Sequence, residues 1–354
     1  MYPELLMPNF TVDPTDLKSH ARFLDRSIAP TYARSSQDVR SGSHIDAPGF
    51  GIALSPIEAA YHQRVDFLAK DLVGAHDLCV AIARRLTETA ETYQRSEDLN
   101  TAGFGGTPVH EESYGSAYAE TGAATMASGS PALLAAGITV EMITACLASM
   151  AACSVLCPAF IPATIAAGLF FANPAGIATA GAHLINEGRN IQNVLDVNFL
   201  NVCTAVAAKW TGEGRDGFQQ VATTIKGHLD QVGKYLETLG GALHTLDVAL
   251  AGLWTMLIAL VGPFLLWLIA AKAAELFPPD IPVIEAIINA SGAAMSSGIL
   301  TAIAAVAAIG GAVGTLITAL AKDALGLTAL PDSGQAGVPD MTEFKVDANF
   351  QIHL

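Results

Sequence analysis

Three long stretches of this chain, 142–186, 248–271 and 286–321, contain no Asp, Glu, Lys or Arg. About 20 consecutive apolar residues suffice for a helix to cross a bilayer. Blocks of this length leave two outcomes: helices buried on every side inside a large helical protein, or helices in contact with lipid. Pro158, Pro162 and Pro174 divide the first block into 138–157 and 163–182, which predicts a helical hairpin. The second block is the most apolar. It has Val261 midway and Trp254 and Trp267 near its ends, where interfacial aromatic rings are favoured. In the third, Gly310 and Gly314 create a small-xxx-small face that lets helices approach closely in lipid. Length argues for membrane insertion, while the abundance of Ala and Gly in the third block argues for a protein core.

Composition narrows the class further. The 354 residues are 51% hydrophobic and 14% charged, with a mean hydropathy of +0.42, too apolar for disorder and for an ordinary soluble enzyme. A formal charge of −15 leaves no basic stripe to displace counterions from phosphates, which argues against a nucleic-acid partner. Affinity for membrane lipid has to come from apolar area. The five cysteines, Cys79, Cys146, Cys153, Cys157 and Cys203, all sit in apolar or helical patterns. They read as small buried groups, with no disulfide framework, metal site or cofactor implied. The opening Met1-Tyr2-Pro3-Glu4 has neither a basic start nor an apolar run of signal-peptide length, so export would need another route.

Gly212, Gly214 and Gly217 interrupt a helical pattern just after Trp210. Val194, Val197, Leu200 (or Asn201), Thr204 and Ala208 recur at helical spacing before them, and Phe218, Val221, Ile225, Leu229, Val232, Leu236 and Leu239 after them. The pattern predicts two antiparallel helices joined by a short turn, with Trp210 on its rim. An earlier unit has the same plan. Asp13-Pro14 opens a helix, Pro30 interrupts or kinks it, and a Ser- and Gly-rich turn follows over 35–51. Ser55-Pro56 then starts a second helix, with Leu68, Leu72, Leu78, Ile82 and Leu86 on one face as far as Tyr93. Tyr93 and Glu97 stand four apart at its end.

The Trp210-Thr211-Gly212 turn, with Phe218 and an amphipathic helix after it, resembles the W-x-G family of type VII (ESX) secretion substrates. The first unit, ending in Tyr93-Gln94-Arg95-Ser96-Glu97, is similar to the PE-like and EspC-like members of those systems. Both in one chain resemble the EspB-type PE–PPE fusion, over roughly 13–100 and 184–247. The resemblance implies a composite export signal formed by Tyr93, Glu97, Trp210 and Gly212, with the end of one hairpin against the turn of the other. It also implies type VII machinery or a chaperone as partner. The long apolar segments depart from the family pattern.

The chain thus divides into a first hairpin (13–99), a Gly-, Ser- and Ala-rich linker (100–130) and an apolar helical block (131–183). A W-x-G-like hairpin (184–247), apolar helices (248–330) and a tail (331–354) follow. Strict alternation from Phe344 to Leu354 predicts a strand in the tail. No nucleophile elbow, zinc-protease motif or phosphate loop occurs, and His62 with Asp66 reads as a solvated pair, so no enzymatic activity is expected. The fold expected is all-α. The function expected is that of a secreted type VII substrate that associates with membranes and self-assembles into a homo-oligomer or pore, with Gly310 and Gly314 among the close-packing positions. Two other readings stay open: an oligomeric scaffold with buried apolar helices, and a resident integral membrane protein.

Overall fold

The computed structural model describes residues 13–103, 138–208, 210, 213–274, 281–327, 345–346 and 352–353, and the fold is all-α. Helix α1 (Pro14–Phe23) starts where the Asp13 carboxylate accepts the Thr15 and Asp16 amides at 2.9 and 3.4 Å. Pro30 does not break the chain here. A single π-turn, Leu24–Ile28, widens the helix before the missing amide, and α2 (Ala29–Gly42) continues with Pro30 in its first turn. The Ser-rich stretch 35–42, expected as part of a turn, is helical because Val39, Ser35 and Ser36 face the core and the Ser36 hydroxyl donates to the Ala69 carbonyl at 2.7 Å. The true turn is 43–54. There Gly49 and Gly51 take φ of 62° and 78°, and Phe50 is buried with its ring 5.5 Å from that of Tyr61. Helix α3 (Ser55–Gly103) then packs back along α1 and α2.

The second hairpin is longer than its motif. Its first arm is α6 (Pro174–Asn193), a π-turn (Val194–Phe199) and α7 (Leu200–Ala208); its second is α8 (Glu213–Ala274), one helix of 62 residues. On α8 all seven expected positions from Phe218 to Leu239 are buried. On the first arm Val194 is buried as expected, but Val197, Leu200, Thr204 and Ala208 are exposed, and Leu195, Phe199, Val202, Cys203 and Val206 face inward. The π-turn is the cause, since its extra residue rotates the buried face relative to a regular 3.6-residue period. The divisions drawn at 183/184 and 247/248 fall inside α6 and α8, where the helices run through without interruption.

Glycines set the closeness of this pair. Gly188 lies against the Gly233 carbonyl, and seven residues along each helix Gly181 lies against Gly240. The antiparallel register so fixed brings Pro174, the first residue of α6, level with Asp247. The Asn173 amide donates to the Gly49 carbonyl at 2.9 Å, which puts the first hairpin's turn at that level too. Residues 248–274 of α8 therefore extend past both hairpins. Alongside them lie α4 (Val140–Leu156) and the first half of α9 (Ile281–Leu327), and α5 (Ile161–Leu169) packs on α4 and α9. The helix expected over 163–182 is two helices. Residues 171–173 are non-helical, because Pro174 cannot donate backward and Asn173 caps α6 by accepting the Gly176 amide. In the tail, Lys345–Val346 and Ile352–His353 pair antiparallel with each other, beside α3. The other tail residues, the linker from 104 on and the chain's opening lie outside the described residues.

Candidate functional site

Trp210 lies against α1. Trp210 is buried, its ring 6.1 Å from that of Phe218, and it shares a small crevice with Asp13, Asp16, Leu17 and His20 of α1 and with Ala205 and Val206 of α7. On the same α1 helix the Lys18 ammonium donates to the Gln94 side-chain oxygen at 2.9 Å. Gln94 is the neighbour of Tyr93. The Tyr93 level of α3 and the Trp210 turn are thus joined by one turn of α1, at the same end of the molecule. Tyr93 is half-buried and Glu97 exposed. Neither marks a helix end, as α3 continues to Gly103 with no Gly or Pro between Tyr93 and that residue. Gly212 lies outside the described residues.

The other end is apolar. By length and composition the stretches Pro158–Ala208, Arg215–Ala274 and Ile281–Leu320 could each cross a membrane, although the first is interrupted at 171–173. Most of the large apolar side chains exposed among the described residues belong to this end. Val155 is 82% exposed, Leu266 70%, Ile165 63% and Val283 60%, a degree of exposure that a water-facing surface seldom groups together. Sequence patterning missed these residues, since a charge-free block gives no contrast between its core face and its outer face.

Several expected membrane positions instead serve the interior. Trp254 is fully buried, so it is a core side chain rather than an interfacial anchor, and its indole N–H has no hydrogen-bond partner among the described residues. Val261 is 1% exposed and packs inward. Trp267 keeps an exposed face, 38%, with its ring stacked on Phe264 at 5.6 Å. Gly310 and Gly314 approach α3 of the same chain. A Cβ on Gly310 would lie 2.7 Å from a Leu54 methyl, and one on Gly314 would lie 3.0 Å from Ile57. Their small face is occupied within the chain, which removes it from contacts between copies.

Among the described residues no cluster of His, Cys, Asp and Glu could hold a metal ion. All five cysteines are free and buried, and burial pushes the Cys79 and Cys203 thiols well above their usual range. His62 sits 3.8 Å from Glu58 on the surface of α3. The most unusual charged group is Arg64, 1% exposed, with its guanidinium 5.0 Å from the Phe67 ring and 4.6 Å from the Tyr235 ring of α8. It ties the first hairpin to the second. Protein-family models, curated proteins and solved structures were all compared with the chain, and none matches.

Proposed function

We propose that the chain is a type VII-type secretion substrate, without enzymatic activity, that engages membrane lipid through its apolar end. In this reading the Trp210 turn and the Tyr93–Glu97 level of α3 form one recognition surface for type VII machinery or a chaperone. The charge-free end, some distance along α8, meets the bilayer and there assembles with further copies. One observation carries the membrane part: the exposed Val155, Ile165 and Leu266 lie within the uncharged segments and the exposed Val283 three residues before the third, while all 33 acidic residues fall outside those segments. Support for the export part is the motif pair together with its convergence on α1.

Vesicle flotation tests the membrane part. Leu266→Arg alters an exposed position and leaves the fold in water within about 0.5 kcal/mol, but costs about 2.5–3.5 kcal/mol at the centre of an inserted helix. Wild-type chain should float with zwitterionic vesicles and Leu266→Arg should not. Val261→Arg is the wrong probe, since a charge at that buried position would unfold the tip without lipid. Wild-type chain that stays at the bottom of the gradient would reject the reading. Culture-filtrate fractionation tests the export part, and retention of all the protein in the cell pellet would reject it.

A further inference from the structure

The turn of the first hairpin, the end of α5 and the middle of α9 enclose a groove of about 540 Å³. Leu54, Pro56 and Ile57 form one wall, Phe170 stands at the end of α5, and Gly311 and Thr315 lie on α9. No charged side chain lines it. The hydroxyls of Thr315 and Thr318 donate to the Gly311 and Gly314 carbonyls of their own helix, so they are already engaged. The volume lies in the ~300–1,000 Å³ range of small-molecule sites.

The lining discriminates between occupants. A peptide would bring N–H and C=O groups that find few partners here, and each would be buried unsatisfied. A hydrocarbon chain brings none, and every methylene it buries is gained without such a loss. Charge discriminates between headgroups. The chain carries −15 and no cationic side chain lines the groove, so an anionic headgroup is disfavoured there.

We propose that this groove holds one acyl chain of a zwitterionic phospholipid, with the headgroup in water. The source of that lipid rests on the membrane reading above, but the site itself is complete without a bilayer.

The test is electron paramagnetic resonance with lysophosphatidylcholine spin-labelled on its acyl chain, kept below its micelle concentration. Full-length wild type should give a saturable, immobilised component approaching one label per chain. Gly311→Leu fills the groove, and no heavy atom lies within 4 Å of a Cβ placed there, so the helix accepts it. It should weaken binding at least tenfold. Gly298→Leu, equally open but absent from the lining, should bind as wild type does. No immobilised component in wild type overturns the proposal, as does equal binding by Gly311→Leu, which would place the label on the exposed apolar surface. Flotation scores the membrane reading separately. Wild type that floats but shows no immobilised label rejects the groove alone, and an immobilised label sensitive to Gly311→Leu without flotation supports the groove and rejects the membrane reading.

Discussion

Gly181 and Gly240 touch backbone to backbone across the seam between α6 and α8: a Cβ on Gly240 would lie 2.5 Å from the Gly181 carbonyl oxygen. Gly188 and Gly233 repeat the contact seven residues away, with 2.6 Å from a Cβ on Gly188 to the Gly233 carbonyl. A side chain there would force apart two helices that form the most extensive pairing in the molecule.

Gly240→Ala and Gly188→Ala are therefore expected to destabilise the chain by about 1–3 kcal/mol each. Gly241→Ala has open space around its Cβ and replaces a poor helix former, so it should be neutral or stabilising by up to about 1 kcal/mol. Thermal unfolding of the three variants decides this. Equal melting temperatures for Gly240→Ala and Gly241→Ala would mean that the seam has room to relax.

The second arm of this hairpin was readable because its apolar residues keep one period from Phe218 to Leu239 on the uninterrupted α8. The first arm was not, because the π-turn at 194–199 shifts the buried face and no residue type announces it. The glycine seam did leave a trace, a spacing of seven on both α6 and α8. Its meaning depends on which helices pair, which a single helical pattern does not contain. The same holds for Gly310 and Gly314. Their small face was legible, but its partner, Leu54 with Ile57, lies about 250 residues earlier in the chain. For Trp254, Val261 and Trp267, hydrophobicity identified the segment and left open which side faces in.

Arg64 offers a second test of how the hairpins are joined. Lysine at that position keeps the charge and loses the planar group that lies between Phe67 and Tyr235. A double-mutant cycle of Arg64→Lys with Tyr235→Leu, read by denaturant unfolding, is expected to give a coupling of about 1 kcal/mol. A coupling below about 0.3 kcal/mol would show that the two side chains act independently.

Export variants need different handling at the two motif halves. Trp210 is 2% exposed against Phe218, so Trp210→Ala removes core volume and is expected to cost about 3–5 kcal/mol, with secretion lost through instability as well as recognition. Glu97 is exposed, so Glu97→Ala should leave melting unchanged while lowering the secreted fraction. Lys18→Ala removes the bond to Gln94 and should lower secretion in the same direction if α1 aligns the two halves. Secretion of Glu97→Ala at the wild-type level, with equal expression, would sink the composite-signal reading.

The last prediction concerns acid. His228 and Asp247 both lie on α8 outside the 248–271 block, and burial moves them in opposite directions. His228 is pushed down to about 4, and Asp247 is pushed up to about 6, the latter moderated by nearby His244. Between about pH 6.5 and 4 the unfolded chain holds a proton at His228 that the folded chain refuses, so stability falls as the pH drops through that window. Between about pH 6 and 3.8 the folded chain holds a proton at Asp247 that the unfolded chain has released, so stability rises as the pH drops. Each effect amounts to about 3 kcal/mol, and in the wild type they nearly cancel. Removing one should expose the other. Asp247→Asn is expected to lose stability relative to wild type on acidification from pH 6.5 to 4, and His228→Gln to gain it. Urea unfolding of the three proteins at pH 6.5, 5 and 4 measures the difference, in which the remaining carboxylates cancel. Parallel pH profiles for all three would show that burial does not disfavour the charged form of either group as this packing requires.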